Sequence, residues 1–98
     1  MINCTINGVI YRLKALVSKI DKQLGLKAYP ELPRQCGVIF VYKGDNDSSF
    51  NFSKIDYQCR ILFLDSDYRV IHHEKTDANQ VSVVTCPIPF RYVIEIGV

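Results

Sequence analysis

The stretch SFNFSKIDYQCRILFLD, residues 49–65, decides the fold, because its pattern predicts two β-strands joined by a polar hinge. Phe50 and Phe52 alternate with polar residues, as in a short strand with one buried face. The following run, CRILFLD, is almost continuously apolar and predicts a central strand. The hinge between the two runs is either a simple turn or a binding site.

Before this stretch, Asn7-Gly8 separates two β-prone runs and predicts a two-residue hairpin turn, since both turn positions need a positive φ. The second run predicts a half-buried strand with alternate residues on its buried face: Val9, Tyr11, Leu13, Ala15 and Val17. Ser18 and Asp21 then resemble a capping box, and Gly25 is a natural stop, so a short helix is expected between them.

The remaining strands follow from apolar runs and turns. The run GVIFVY, 37–42, predicts a strand buried on both faces, and RVIHH predicts the hairpin partner of CRILFLD. The final run, FRYVIEI, alternates and predicts the last strand. Together these elements predict a mostly β (α+β) fold: a small curled antiparallel sheet or partly closed barrel of about eight strands, with one short helix.

Length and composition set broad limits. Ninety-eight residues predict one domain, 1–98. No apolar run reaches the roughly 18 residues that a membrane span needs, and no signal-peptide pattern opens the chain, so a cytoplasmic location is expected. Residues 1–45 carry seven Lys or Arg residues and three acidic residues, a net charge of +4. Residues 46–98 carry five Lys or Arg residues and seven acidic residues, a net charge of −2. This weak asymmetry argues against a nucleic-acid partner.

Three blocks of the chain are similar to one family. LGLKAYPELPRQCGVIFVY resembles the family pattern GLM, a short loop and LP leading into GMLFVF. FNFSKIDYQCRILFLD aligns without a gap on FWMKNTLIPLDIIFID, and FRYVIEI matches ARYVLEL. The chain thus resembles the DUF192 family over roughly residues 13–97. The resemblance implies a compact β-rich domain with one helix, and it brings no established activity.

The departures from the family pattern fall in the hinge. The family's MKNT segment aligns with residues 52–55 and its PLD segment with residues 58–60. The family's Trp aligns with Asn51. Arg60 stands where the family has Asp. This difference reverses the charge at that position, so any ligand bound there would be expected to carry the opposite charge. Two interpretations fit: the hinge is only a structural turn, or this member has been repurposed.

The best candidate ligand site combines aromatic and cationic side chains around the hinge. Phe52, Lys54 and Arg60 would form a platform for a small anionic or planar ligand, and Arg91 would join them if the last strand lies beside the hinge. The alternative is that Phe50 and Phe52 simply pack in the core.

Candidate catalytic and metal-binding patterns are weak. His72 and His73 are adjacent in a predicted strand, so they point to opposite faces and cannot jointly hold one ion. A Cys59–His pair would need contact between neighbouring strands. The four cysteines, which form no CxxC motif, are expected as small apolar fillers. We therefore predict no catalytic set, no metal and no cofactor.

Three functions stay open. The first is a non-enzymatic binding module for a small ligand or a protein partner. The second is a small hydrolase that uses His72 or His73, which would require a His within about 3 Å of an acid or nucleophile in a concave pocket. The third is a structural domain that forms homo-oligomers through an exposed strand edge.

Overall fold

The computed structural model describes residues 1–29, 31–52, 55–76 and 83–98. In these ranges lie one α-helix, α1 (Lys19–Leu24), a 3₁₀ turn (Gly25–Ala28) and eight strands: β1 (Ile2–Ile6), β2 (Val9–Leu16), β3 (Cys36–Asn46), β4 (Phe50–Asn51), β5 (Cys59–Leu64), β6 (Val70–Thr76), β7 (Val83–Val84) and β8 (Phe90–Gly97). Six strands form one sheet in the order β1-β2-β3-β8-β5-β6, and β4 pairs with β7. The predicted mostly β class with one short helix is confirmed.

The turn, helix-cap and helix-stop signals of the first 25 residues are confirmed. Asn7 and Gly8 have φ values of 51° and 81°, and the strands on either side pair antiparallel. The hydroxyl of Ser18 accepts a hydrogen bond from the Asp21 backbone N–H at 3.1 Å. Gly25 ends the helix with a φ of 47°. Each feature depends on a few neighbouring residues, which is why the sequence predicts it.

The sheet is mixed rather than purely antiparallel. β2 and β3 run parallel, with Leu13 opposite Gly37 and Leu16 opposite Phe40. Parallel neighbours need a crossover connection, and here the segment that carries α1 and the 3₁₀ turn makes it. The other pairs in the six-stranded sheet are antiparallel.

Both faces of the central strands are buried. One face, which we call the α1 face, packs Leu26 and Phe40 with side chains of β4, β5, β7 and β8: Phe50, Phe63, Val84, Phe90 and Val93. The opposite face packs the β1–β2 hairpin against Ile39 and side chains of β5 and β8: Ile6, Leu13, Leu62, Leu64, Ile94 and Ile96. Alternate residues of β5 thus enter two separate cores, as the near-continuous apolar run of that strand requires.

Strand β2 departs from the predicted alternation. Leu13 is fully buried on the opposite face, whereas Ala15 and Val17 are exposed. The buried residue at the end of the strand is Leu16, which packs on the α1 face. The strand therefore buries first one face and then the other as it passes from the hairpin to the helix.

The curled sheet does not close into a barrel. β1 and β6 stay at its two edges. The curl brings the β1–β2 turn near β5 and β6, where Asn7, Tyr11, Arg60 and His73 line a shallow cleft of about 180 Å³. The curled-sheet form of the prediction is therefore confirmed, without barrel closure.

Candidate functional site

A cavity of about 730 Å³ opens between α1 and the α1 face of the sheet. Its wall comes from α1, the 3₁₀ turn, β3, β4, β8 and the segment that follows β4. A volume of this size falls in the range of pockets that hold small organic ligands. The cavity is therefore a half-open space of the size that a small-molecule site needs.

The apolar part of the wall is largely aromatic. Phe40 and Phe50 pack edge to face with ring centroids 5.2 Å apart, and Phe50 packs on Phe63 at 5.7 Å. Phe52 and Ile55 complete the wall, and the Ile55 N–H donates to the Phe52 carbonyl at 3.0 Å. Because the rings hold one another in place, the wall is preformed rather than assembled by a ligand.

Cationic side chains also line the cavity. Lys19 and Lys22 come from α1, and Lys43 comes from the exposed part of β3. The Nζ of Lys22 lies 4.2 Å from the centroid of the Tyr42 ring, a cation–π contact that places its charge beside the cavity. Three ammonium groups beside an apolar wall favour an anion with an apolar body.

One carboxyl group lies inside the same cavity. Glu95 is only 4% exposed, and on β8 it sits directly between Val38 of β3 and Ile61 of β5, which are both fully buried. This burial raises the pKa of Glu95 from 4.5 to about 8. Among the described residues, no side chain or backbone group forms a hydrogen bond with the Glu95 carboxyl.

Glu95 also acts on the phenols around it. Burial raises the pKa of Tyr42 to about 12, and the nearby Glu95 carboxyl adds to that rise. Burial likewise raises the pKa of Tyr57 to about 12, with smaller contributions from Cys59, Glu95 and Asp56. The Tyr57 hydroxyl donates to the Tyr29 carbonyl at 3.2 Å. Both phenols are therefore neutral around physiological pH.

The structure separates two of the residues predicted to bind a ligand. Phe52 is 2% exposed in the cavity wall on the α1 face. Arg60 lies on the opposite face, in the shallow cleft beside His73. Successive residues of a strand point to opposite faces, and Cys59 and Ile61 both enter the α1 face, so Arg60 cannot. Phe52 and Arg60 thus do not share one platform.

The other two predicted residues have different outcomes. Lys54 lies outside the described residues. The Nε of Arg91 lies 3.4 Å from Oδ1 of Asp45, as an ion pair without hydrogen-bond geometry. Arg91 is not among the residues that line the cavity. Ligand contact by any of the four residues stays a prediction.

The histidines lie apart from the cavity. His72 packs on Phe63 with ring centroids 5.7 Å apart, and its Nε2 lies 2.9 Å from Oε2 of Glu74 on the same strand. His73 is exposed in the shallow cleft. The imidazole–carboxylate contact predicted for a hydrolase is therefore present, but it lies on a partly exposed strand surface and outside both concave sites.

The Cys59–His contact that the sequence left open does not form, because the β5–β6 register places Cys59 opposite Thr76, whereas Phe63 lies opposite His72. Cys59 is instead fully buried in the core of the α1 face, as expected for a small apolar filler. The four cysteines are free thiols. Within the described ranges, no three His, Cys, Asp or Glu side chains lie close enough together to hold a metal ion.

Sequence reasoning missed Glu95. The signal was present, since Glu95 is the one acid in an otherwise β-prone final strand and is flanked by Ile94 and Ile96. The alternation of the final run places Glu95 and Val93 on the face opposite Ile94 and Ile96. Since β8 runs between β3 and β5 with both faces covered, those residues are buried as well.

The described residues form a curled six-stranded sheet, the two-stranded β4–β7 sheet and a short helix, with a small-molecule-sized cavity between the helix and the larger sheet. These features define the class: a small β-rich domain. Among the described residues, no helix is both long and apolar enough to cross a membrane. The chain belongs to the DUF192 family, described as "uncharacterized ACR", whose model matches residues 2–98. The family resemblance noted from the sequence is confirmed.

Solved structures share this fold. A protein of unknown function from Novosphingobium aromaticivorans DSM 12444 is 19% identical with a TM-score of 0.80, over 97% of this chain and 70% of that chain. A "putative transcription regulator" from Sinorhizobium meliloti 1021 is 14% identical with a TM-score of 0.83, and the match covers 97% of this chain and 77% of that chain. At these identities the likeness shows the fold alone. The comparison with curated proteins finds no match.

Proposed function

We propose that this chain is a single, non-enzymatic binding domain that holds a small planar anion in the cavity between α1 and the sheet. The observation that carries this proposal is the pairing of a preformed aromatic wall with three lysines, Lys19, Lys22 and Lys43. An apolar wall takes the ligand body, and ammonium groups compensate its charge where it leaves water.

The chemistry of the cavity supports binding over catalysis. Its described lining contains no histidine and no cysteine. The neutral Glu95 carboxyl has no general base or activated nucleophile hydrogen-bonded to it within the described ranges. A hydrolase that uses the His72–Glu74 pair would have to bind its substrate on a partly exposed strand surface, outside both concave sites, where little of the protein surrounds the reacting bond. The cytoplasmic location inferred from the sequence stays part of the proposal, since a reducing compartment suits four free thiols.

The test uses 8-anilinonaphthalene-1-sulfonate, an aromatic anion whose fluorescence rises in apolar surroundings. We expect saturable binding to the native protein near neutral pH. Replacing two cationic side chains of the cavity in the double variant Lys22→Gln/Lys43→Gln should weaken binding by roughly fivefold to tenfold, as the loss of two partly screened charge contacts predicts.

The matched control is the double variant Lys14→Gln/Lys75→Gln, because both lysines are exposed, on β2 and β6, and neither lines the cavity. It removes two positive charges, as the cavity variant does, without touching the site, so its affinity should stay within about twofold of the original. Equal losses in the two double variants would mean that net charge alone attracts the dye. Absence of saturable binding would contradict the proposed function.

A further inference from the structure

The Glu95 carboxyl is the one carboxyl group among the described residues that line the cavity, and it forms no hydrogen bond with another described residue. It is 96% buried, from its 4% exposure, and it lines the cavity alongside the phenyl rings. Its oxygens keep some accessible surface at the cavity, so a ligand bound there can supply a hydrogen bond that no described protein group makes. Its position inside the cavity makes it available to a bound molecule.

The groups that face Glu95 leave its proton free for a ligand. Tyr42 and Lys43 reach the cavity from β3, Lys19 and Lys22 from α1, and Tyr57 and Cys59 approach from the β5 side. The phenols of Tyr42 and Tyr57 and the thiol of Cys59 have pKa values raised to about 12, 12 and 11. Around neutral pH these three groups are uncharged and so is the Glu95 carboxyl, whose pKa is about 8.

A neutral carboxyl group differs from a carboxylate in what it recognises. It has one O–H donor, whereas the carboxylate only accepts hydrogen bonds. In an apolar cavity the O–H pairs best with a carbonyl or another acceptor, and the ionised form would repel the same acceptor.

We infer that Glu95 is a specificity-determining residue: it selects, among planar anions, those that carry a carbonyl or similar hydrogen-bond acceptor on the ring system that enters the cavity. This inference rests on the proposed function and names its ligand class. The lysines contact the anionic group, the phenyl rings contact the ring system, and the Glu95 O–H donates to the acceptor.

Two sulfonates of matched shape test this selection. Anthraquinone-2-sulfonate and anthracene-2-sulfonate share a planar three-ring body and a permanently charged group, and only the first carries carbonyl acceptors. By titration calorimetry at about pH 6, we expect the quinone to bind the native protein roughly threefold to tenfold more tightly, the usual range for one net hydrogen bond. At about pH 9.5 the preference should disappear or reverse, since the carboxyl group is then ionised.

Two variants test whether Glu95 causes the preference for the quinone. Glu95→Gln keeps an N–H donor of similar shape but cannot ionise, so the preference for the quinone should persist at both pH values. Glu95→Met has no donor and should bind both sulfonates equally at both pH values. Near-UV circular dichroism checks that each variant retains its fold.

The outcomes separate this inference from the proposed function. If both sulfonates bind the native protein equally at about pH 6, the selection by Glu95 is wrong while the binding cavity stands. A preference that persists unchanged in Glu95→Met would also overturn the inference. If neither sulfonate binds and the cavity lysines have no effect on the aromatic dye, the proposed function is wrong, and the inference is overturned with it.

Discussion

Cys59 and Thr76 lie directly opposite each other on β5 and β6, and the Sγ of Cys59 lies 2.8 Å from the Oγ1 of Thr76. The Thr76 hydroxyl also donates to the Cys59 carbonyl at 3.3 Å. Both side chains are buried beside the core of the α1 face. Burial raises the pKa of Cys59 to about 11, against a smaller lowering by the Thr76 hydrogen bond and a further rise from Glu95. Thiolate is therefore scarce at this position.

We predict that the four thiols divide into two kinetic classes. In the native protein, Cys59 should react with a disulfide reagent at about pH 8 at least tenfold more slowly than the half-buried cysteines, because thiolate character and access both control the rate. Cys4, Cys36 and Cys86 form the faster class. Absorbance of the released thiolate measures the rates.

The variant Cys59→Ala provides the control for this assignment. It should lose the slow phase and retain the faster phases, and unfolding the original protein in urea should make all four thiols react at similar rates. A single rate for four native thiols, or a slow phase that survives in Cys59→Ala, would contradict the buried assignment.

Local chemistry made part of this fold predictable from the sequence. The Asn7-Gly8 turn, the cap at Ser18 and the turn at Asp65 each need only nearby residues. Oδ1 of Asp65 accepts from the backbone N–H groups of Asp67 and Arg69 at 2.9 and 3.0 Å, as expected for an acid that opens a turn.

The rest of the fold and most of the site depend on strand pairing over long sequence separations. Nothing near β2 shows that its neighbour β3 runs parallel to it, since that follows from the crossover through α1. The face occupied by Arg60 and the burial of Glu95 depend on which strands flank β5 and β8. Periodicity shows that a strand has two faces, but it does not show whether both are covered.

The cap at Ser18 gives a second prediction. Ser18→Ala removes the acceptor for the Asp21 N–H, so the free energy of unfolding should fall by about 1 kcal/mol. Urea unfolding measures the change. Ser48→Ala is the control because Ser48 is an exposed serine near the end of β3, and its value should lie within about 0.5 kcal/mol of the original. Equal effects of the two substitutions would show that the cap does not stabilise α1.

Close packing of β3 against β8 gives a third prediction. A Cβ at Gly37 would overlap the carbonyl oxygen of Glu95 and crowd the backbone of Ile96, and neither group is a flexible side chain. Gly37→Ala should therefore lower the free energy of unfolding by about 3 kcal/mol or more, since two central strands would have to separate.

Gly44→Ala is the matched control, because a Cβ at Gly44 meets no atom within 4 Å. It should change the stability by less than about 1 kcal/mol, with a small gain possible from a less flexible unfolded chain. Urea unfolding of both variants makes the comparison. Similar stabilities for Gly37→Ala and Gly44→Ala would mean that β3 and β8 do not approach as closely as the structure shows.

The burial of Glu95 links the stability of the protein to pH. In the unfolded chain its carboxyl titrates near the ordinary value of 4.5, and in the folded protein its pKa is about 8. Between these values the folded state keeps a proton that the unfolded state releases. The stabilising contribution of this proton is therefore complete below about pH 4.5 and is lost as the pH rises through about 8.

We predict that Glu95→Gln removes this dependence, because an amide of similar shape stays neutral at every pH. The free energy of unfolding of the original protein, minus that of Glu95→Gln, should decrease as the pH rises from about 5 to 8, by at most about 1.4 kcal/mol per pH unit. Taking the difference cancels the titration of groups common to both proteins. Urea unfolding at a series of pH values measures the free energy of unfolding of both proteins. A difference that stays constant with pH, or that increases, would show that Glu95 is ionised in the folded protein, and selection of a ligand acceptor by its O–H would then have no physical basis.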